Sequence, residues 1–235
     1  MIEVRNLTFS YDRRPENAAL TDITFSIKQG TVTAVIGPSG CGKSTLCQIL
    51  CGIIPQCISG EIQGEVRVGG TDVQHTSLRD LSQKIGYVMQ DPDRQIIAST
   101  VEDELAFGPE NLCLPPEEIR VRIEAVKEAL GICHLAEKNP GKLSGGQKQL
   151  IAIGGILAME PEVLILDEPL SQVDREGRER ITGLMKKLRA QGKTLLAVEH
   201  DYRMLDFADQ WICLERGRLK AIGSPGALLE RGVVL

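Results

Sequence analysis

Thr31-Val32-Thr33-Ala34-Val35-Ile36-Gly37-Pro38-Ser39-Gly40-Cys41-Gly42-Lys43-Ser44 is the stretch on which the fold turns. Residues 31–36 are apolar or β-branched and read as a buried strand, and a helix is expected over about 42–51. Between them, Gly37 to Ser44 fits the phosphate-binding pattern G-x-x-x-x-G-K-[ST], in the strand, loop and helix setting that the pattern requires. Glycines such as Gly37, Gly40 and Gly42 let a loop turn tightly and aim its N–H groups at phosphate oxygens, with Pro38 and Ser39 inside the turn. The helix start adds partial positive charge. Lys43 is expected to reach the β- and γ-phosphates, Ser44 to offer its hydroxyl to Mg²⁺, and Thr45 to support the loop from behind. Cys41 reads as a small filler, although a helix start and Lys43 beside it would favour a thiolate.

Upstream, residues 2–7 and Leu20–Ile27 read as strands, the second with the Ile23, Phe25, Ile27 alternation of a half-buried antiparallel strand. Downstream, strands are expected at 64–68 and 84–89. From Asp91 to about Gly146, Pro92, Pro109, Pro115 and Pro116 punctuate a helical texture. Pro115-Pro116-Glu117-Glu118 starts a helix, Ile119, Ile123, Val126 and Leu130 recur at helical spacing, and Gly131 stops it. The tail alternates again: a strand at 163–166, a helix near 176–190, a strand at 194–198, a helix after Asp201 and a strand at 211–214. Crossovers of that length imply an α/β fold with a parallel sheet flanked by helices. The expected organisation is one domain over 1–235, its core and antiparallel β-subdomain drawn from 1–90 and 147–235, with a helical insertion at 91–146.

In Val163-Leu164-Ile165-Leu166-Asp167-Glu168-Pro169, two carboxylates follow a buried strand. Ligands of parallel sheets gather outside such carboxyl ends. Neighbours in an extended chain point apart, so the two acids are expected to have separate tasks: Asp167 in the Mg²⁺ shell and Glu168 polarising an attacking water. The carboxylates alone would read as a solvated turn; the phosphate loop reverses that balance.

The chain has 235 residues, 42% of them hydrophobic, enough for a sizeable core. With 27 Lys and Arg against 32 Asp and Glu, and only four Phe, three Tyr and one Trp, a groove of basic stripes and stacking aromatics for nucleic acid is disfavoured. No apolar run approaches a membrane span and the N-terminus opens on an amphipathic pattern, so a soluble, cytosolic chain is expected. The seven cysteines include no C-x-x-C pair, which argues for reduced thiols rather than disulfides or zinc; Cys47 and Cys51, one helical turn apart, are expected in the core.

Leu143-Ser144-Gly145-Gly146-Gln147, placed shortly before the acidic strand, resembles the LSGGQ signature of the ATP-binding-cassette (ABC) ATPases. The likeness covers essentially the entire chain and implies an ABC-type P-loop NTPase: a mixed sheet with a parallel core, an antiparallel β-subdomain and a helical insertion. It further implies that Gln90 is the Q-loop glutamine touching Mg²⁺ and the lytic water. His200 is similar to the switch histidine that contacts the γ-phosphate, Tyr11 to the aromatic that stacks on adenine, and Ser171-Gln172-Val173-Asp174 to the D-loop. ATP and Mg²⁺ are the implied cofactors. In this family the signature serves another chain's nucleotide, so Ser144 and Gly146 of one subunit are expected to face the γ-phosphate held by Lys43 of its mate. That makes a head-to-tail dimer, with itself or with a homologous ATPase.

Gln90-Asp91-Pro92-Asp93-Arg94-Gln95, followed by residues 100–111, resembles the ATPase subunits of energy-coupling-factor (ECF) transporters, which import vitamins and transition-metal ions. The resemblance implies a peripheral place at the cytoplasmic face of the membrane, with a transmembrane coupling subunit and a substrate-binding membrane subunit as partners. It also puts Gln95 in an extra helix after the Q-loop, on a surface that receives a helix of the membrane partner. Leu170, Leu150 and the Ser-Gln-Val-Asp form of the D-loop depart from the commoner pattern. Two other functions stay open from sequence: a non-transport ABC ATPase acting mechanically on nucleic acid or the ribosome, and a nucleotide-gated regulatory module with little turnover.

Overall fold

A computed structural model describes residues 1–12, 17–171 and 173–233. The strands are β1 (Ile2–Ser10), β2 (Leu20–Ile27), β3 (Val32–Ile36), β4 (Glu61–Val68), β5 (Thr71–Asp72), β6 (Ile85–Val88), β7 (Val163–Asp167), β8 (Thr194–Glu199), β9 (Gln210–Glu215) and β10 (Arg218–Gly223). The helices are α1 (Lys43–Leu50), α2 (Ile53–Gln56), α3 (Leu78–Ser82), α4 (Val101–Asn111), α5 (Pro116–Leu130), α6 (Gly145–Leu157), α7 (Arg175–Ala190) and α8 (Pro225–Glu230).

Two sheets result. One is antiparallel, ordered β2-β1-β4-β5; the other is ordered β10-β9-β3-β8-β7-β6, parallel except for β10. The mixed sheet with an antiparallel companion is the expected architecture. Its central strands β3, β7 and β8 are buried along their whole length, which is why the sequence there is mostly apolar, with Asp167 and Glu199 only at strand ends, rather than an alternation. Alternate residues still serve different faces. Val32, Ala34, Ile36, Leu164 and Leu166 join one core with α4, α5, α6 and α7, whereas Val35, Val163, Ile165 and Val198 join a second with α1 and the antiparallel sheet.

Among the described residues, 91–146 holds helices and 3₁₀ turns and no strand. It has no core of its own, because Val101, Leu105, Ile123 and Leu130 pack into the same cluster as Val88 and Leu164. Helix α5 runs to Leu130 and closes on Gly131 in the left-handed conformation, as the spacing predicts. Three expectations need correction. After Asp201 there is only a 3₁₀ turn, Tyr202–Leu205, held by the Trp211 Nε1–H donating to the Leu205 carbonyl (3.0 Å). Gln95 closes a 3₁₀ turn, Pro92–Arg94, rather than occupying a helix, and its side chain turns inward. Its Oε1 accepts from the Met89 N–H (2.9 Å) and its Nε2 donates to the Ala152 carbonyl (3.3 Å). Glu168 is not in an extended backbone: its φ is 50°.

Candidate nucleotide-binding site

The phosphate loop joins β3 to α1 at the carboxyl edge of the parallel sheet. Two glycines are sterically required. A Cβ at Gly37 would stand 2.2 Å from the Leu214 carbonyl oxygen, and one at Gly42, where φ is +102°, 2.6 Å from a Leu20 methyl. Because Gly42 is the N-cap residue, no side chain caps α1, and its first-turn N–H groups are left for another acceptor. The Lys43 ammonium folds over the loop, donating to the carbonyls of Gly37 (2.8 Å) and Pro38 (3.0 Å). Burial pushes the Cys41 thiol up despite the pull of Lys43, so it is the small filler expected and no nucleophile. Cys47 and Cys51 are buried likewise, and the described residues contain no group of three or more His, Cys, Asp or Glu side chains placed to hold a metal ion.

The acids diverge as anticipated, for a different reason. Asp167 ends β7 and accepts from the Ser44 hydroxyl (3.2 Å) and the Tyr87 hydroxyl (3.1 Å). Burial raises its carboxyl above the ordinary value, against those hydrogen bonds and the charges of Lys43 and His200. One residue on, the left-handed backbone swings Glu168 the other way. Its carboxylate accepts from Gln90 Nε2 (2.6 Å) and pairs with His200 Nε2. The turn behind it is tight: the Ser171 N–H and hydroxyl both donate to the Glu168 carbonyl.

Tyr11, Ser39, Gly40, Gly42, Lys43, Ser44, Thr45, Gln90, Glu168 and His200 line one cavity of about 430 Å³. Tyr11 stands at its rim, 47% exposed, edge-on to Phe9 and with its hydroxyl 2.8 Å from that of Thr45. None of Ser144, Gly145, Gly146 and Gln147 lines it. They form the exposed start of α6, where the Ser144 hydroxyl accepts from the Gln147 N–H and Gln147 Oε1 accepts from the Ser144 N–H, a reciprocal cap. In the D-loop, Asp174 caps α7 through the Gly177 N–H, and Gln172 lies outside the described residues. Sequence reasoning missed Tyr87, which holds Asp167, and Glu199, which lies just past the strand expected at 194–198. Their signals were present in the phenol three residues before Gln90 and in a carboxylate that closes an otherwise apolar strand.

A single chain thus gathers most of the expected phosphate-side groups in one cavity, with Asp167 behind Ser44 and Gly37, Pro38 and Cys41 off its lining, and leaves the LSGGQ residues outside. The ABC transporter family model matches residues 20–171, most of the chain. The chain belongs to the ABC transporter family. Among relatives, an ABC transporter ATP-binding protein of Methanosarcina acetivorans is 39% identical over 98% of this chain, which spans 38% of that protein's length. The energy-coupling factor transporter ATP-binding protein EcfA1 of Streptococcus thermophilus is 36% identical over 99% of this chain and 83% of its own. Among solved structures, cbiO1 of Clostridium perfringens, part of the ABC transporter complex cbiONQ, superposes with a TM-score of 0.87 at 34% identity, covering 98% of this chain and 91% of that one. A dimeric ATP-binding cassette in a post-hydrolysis state, bound to ADP and phosphate, gives 0.81 at 27% identity over 96% and 99%. As in its family, this chain is an ATP-binding cassette, and none of its described helices is long and apolar enough to cross a membrane.

Proposed function

We propose that this chain is the Mg²⁺-dependent, ATP-hydrolysing subunit of an ECF-type importer for a vitamin or a transition-metal ion, bound to the cytoplasmic face of the membrane. One observation carries the mechanism: the phosphate loop, Gln90, Glu168 and His200 share a cavity that the signature residues do not reach. Two chains set head to tail would complete it, Ser144 and Gly146 of each closing on phosphate held by Lys43 of the other, and the dimeric post-hydrolysis cassette supports the pairing of two such chains.

Within the cavity, Lys43 and the loop amides would hold the β- and γ-phosphates, and Tyr11 would lie against the adenine. Ser44, Asp167 and Gln90 are oxygen donors of the kind a hard divalent cation takes, and a bound cation would favour the ionised form of Asp167 that burial opposes. Bound Mg²⁺ would neutralise charge on the phosphate oxygens. Glu168, held between Gln90 and His200, is aimed to orient water, and His200 to donate toward the γ-phosphate. Positioning and charge stabilisation then supply most of the catalysis, with little covalent work left to the protein.

The test is complementation. Lys43→Ala and Ser144→Arg should each abolish phosphate release alone, whereas their mixture should regain activity, since a mixed dimer holds one intact site. A mixture as inactive as its parts refutes the head-to-tail site.

We further propose 1–90 and 147–235 as the nucleotide half and 91–146 as the half facing the membrane partner. With Gln95 turned inward, the receiving surface is the acidic groove of about 460 Å³ between α4 and α5, where Asp103 and Glu110 flank Ala106 and Ile119. The ECF and cbiONQ relatives supply the kind of partner. Asp103→Lys with Glu110→Lys should abolish uptake by the assembled transporter while sparing ATPase activity of the isolated chain; normal uptake would remove the groove from the interface.

A further inference from the structure

Glu199 is 1% exposed, the last residue of β8 and the neighbour of His200. Its Oε1 accepts from the Leu170 N–H at 2.8 Å, across from the other acid-bearing strand, and Leu170 is itself 1% exposed. The Glu168 N–H donates to the Val198 carbonyl (3.1 Å) in the same strand. The turn that carries Glu168 is therefore tied to β8 on both sides, once by backbone and once by a buried side chain. Between the two ties sits a non-glycine residue at φ 50°. Such a backbone persists only where its surroundings over-determine it.

The charges around Glu199 fit a purpose-built tie. Burial and Glu168 oppose its ionisation and Arg178, from α7, favours it, as does the Leu170 N–H that donates to it. Arg178 also donates to the Val173 carbonyl (2.8 Å), which holds this charge beside the D-loop.

We infer that Glu199 is a positioning residue for hydrolysis: by holding the Leu170 N–H, its carboxyl fixes the strained turn that aims Glu168 at the water and sets it against His200. This rests on the ATPase reading above. Removing the tie leaves a buried N–H without an acceptor and lets the turn relax, displacing Glu168 without touching the phosphate loop. Rate should fall and nucleotide affinity should not.

Three full-length variants test it. Glu199→Leu fills the space without offering an acceptor, Glu199→Ala empties it, and Glu199→Gln keeps an acceptor oxygen. In Mg²⁺-ATPase assays the Leu and Ala variants should lose about 10- to 100-fold in kcat at unchanged KM, as expected when a reacting group is misplaced by about 1 Å, and Gln should recover most of it. Deuterium exchange of the 168–174 segment should accelerate in Leu and Ala and stay near wild type in Gln. Wild-type kcat or unchanged exchange in Glu199→Leu, or a Gln variant as slow as Leu, overturns the inference. Absence of phosphate release by the wild-type chain would sink the ATPase reading, while the exchange measurement would still judge the tie itself.

Discussion

Replacing Glu199 by Gln should change stability in a pH-dependent way that can be worked from its surroundings. Burial, aided by the nearby Glu168 charge, pushes the carboxyl from 4.5 up to about 7, against the hydrogen bonds and Arg178. A carboxyl with a raised folded pKa binds its proton more tightly when folded. Its contribution is therefore fully present below about 4.5 and is lost as pH rises toward 7. Above 7 the ionised side chain costs about 3 kcal/mol relative to the protonated one, and near pH 5 about 1. Gln cannot ionise, so it escapes this cost at both pH values. Whatever its amide gains or loses in packing is common to both and cancels in the difference. Urea denaturation of the two proteins at pH 5 and pH 8 should show the Gln variant gaining roughly 2 kcal/mol on wild type between the lower and the higher pH. A difference below about 0.5 kcal/mol, or one of opposite sign, would mean that the carboxyl is not held protonated by its burial.

Three other outcomes are expected. Glu168→Gln should lower kcat by about 10²- to 10⁴-fold, since it removes the carboxylate that faces both Gln90 and His200 in the cavity, while equilibrium binding of ATP is retained. Gly42→Val should abolish nucleotide binding by calorimetry, because its side chain would collide with Leu20 and the Ala19 carbonyl at a left-handed position. Trp211→Phe removes one of the two donors to the Leu205 carbonyl, leaving the Ala208 N–H, and should cost about 0.5–1.5 kcal/mol in denaturant unfolding, with faster hydrogen exchange in the turn that follows His200.

Much of the site was legible because its chemistry is written in contiguous residues. Gly37 to Ser44 states its strand, loop and helix in one run, and Asp167-Glu168 announces itself at the end of an apolar strand. What escaped depended on contacts between distant segments. Helix α4 was hidden because Gly108 and Pro109 break its pattern, although Thr100 caps it and Glu104 braces the preceding turn through the Ile97 and Ala98 N–H groups. The turn after Asp201 could not be told from a helix start, since the cap is the same and only Trp211 packing decides its length. Edge strand β10 alternates between intermediate and exposed positions and carries little apolar signal. Glu199 declared its identity but not its role, because Leu170 lies 29 residues away.

The division of the interior into two cores has a mechanical consequence. The parallel strands act as a bulkhead: alternate side chains of each strand belong to different compartments, one housing α1 and the phosphate loop, the other housing α4, α5 and the base of the signature helix. A change of volume on one side reaches the other only by shifting backbone, which the buried ladders resist. In the proposed cycle, movement triggered by ATP would therefore be routed around the rim, through the loops at the strand ends where Gln90, Glu168 and His200 meet.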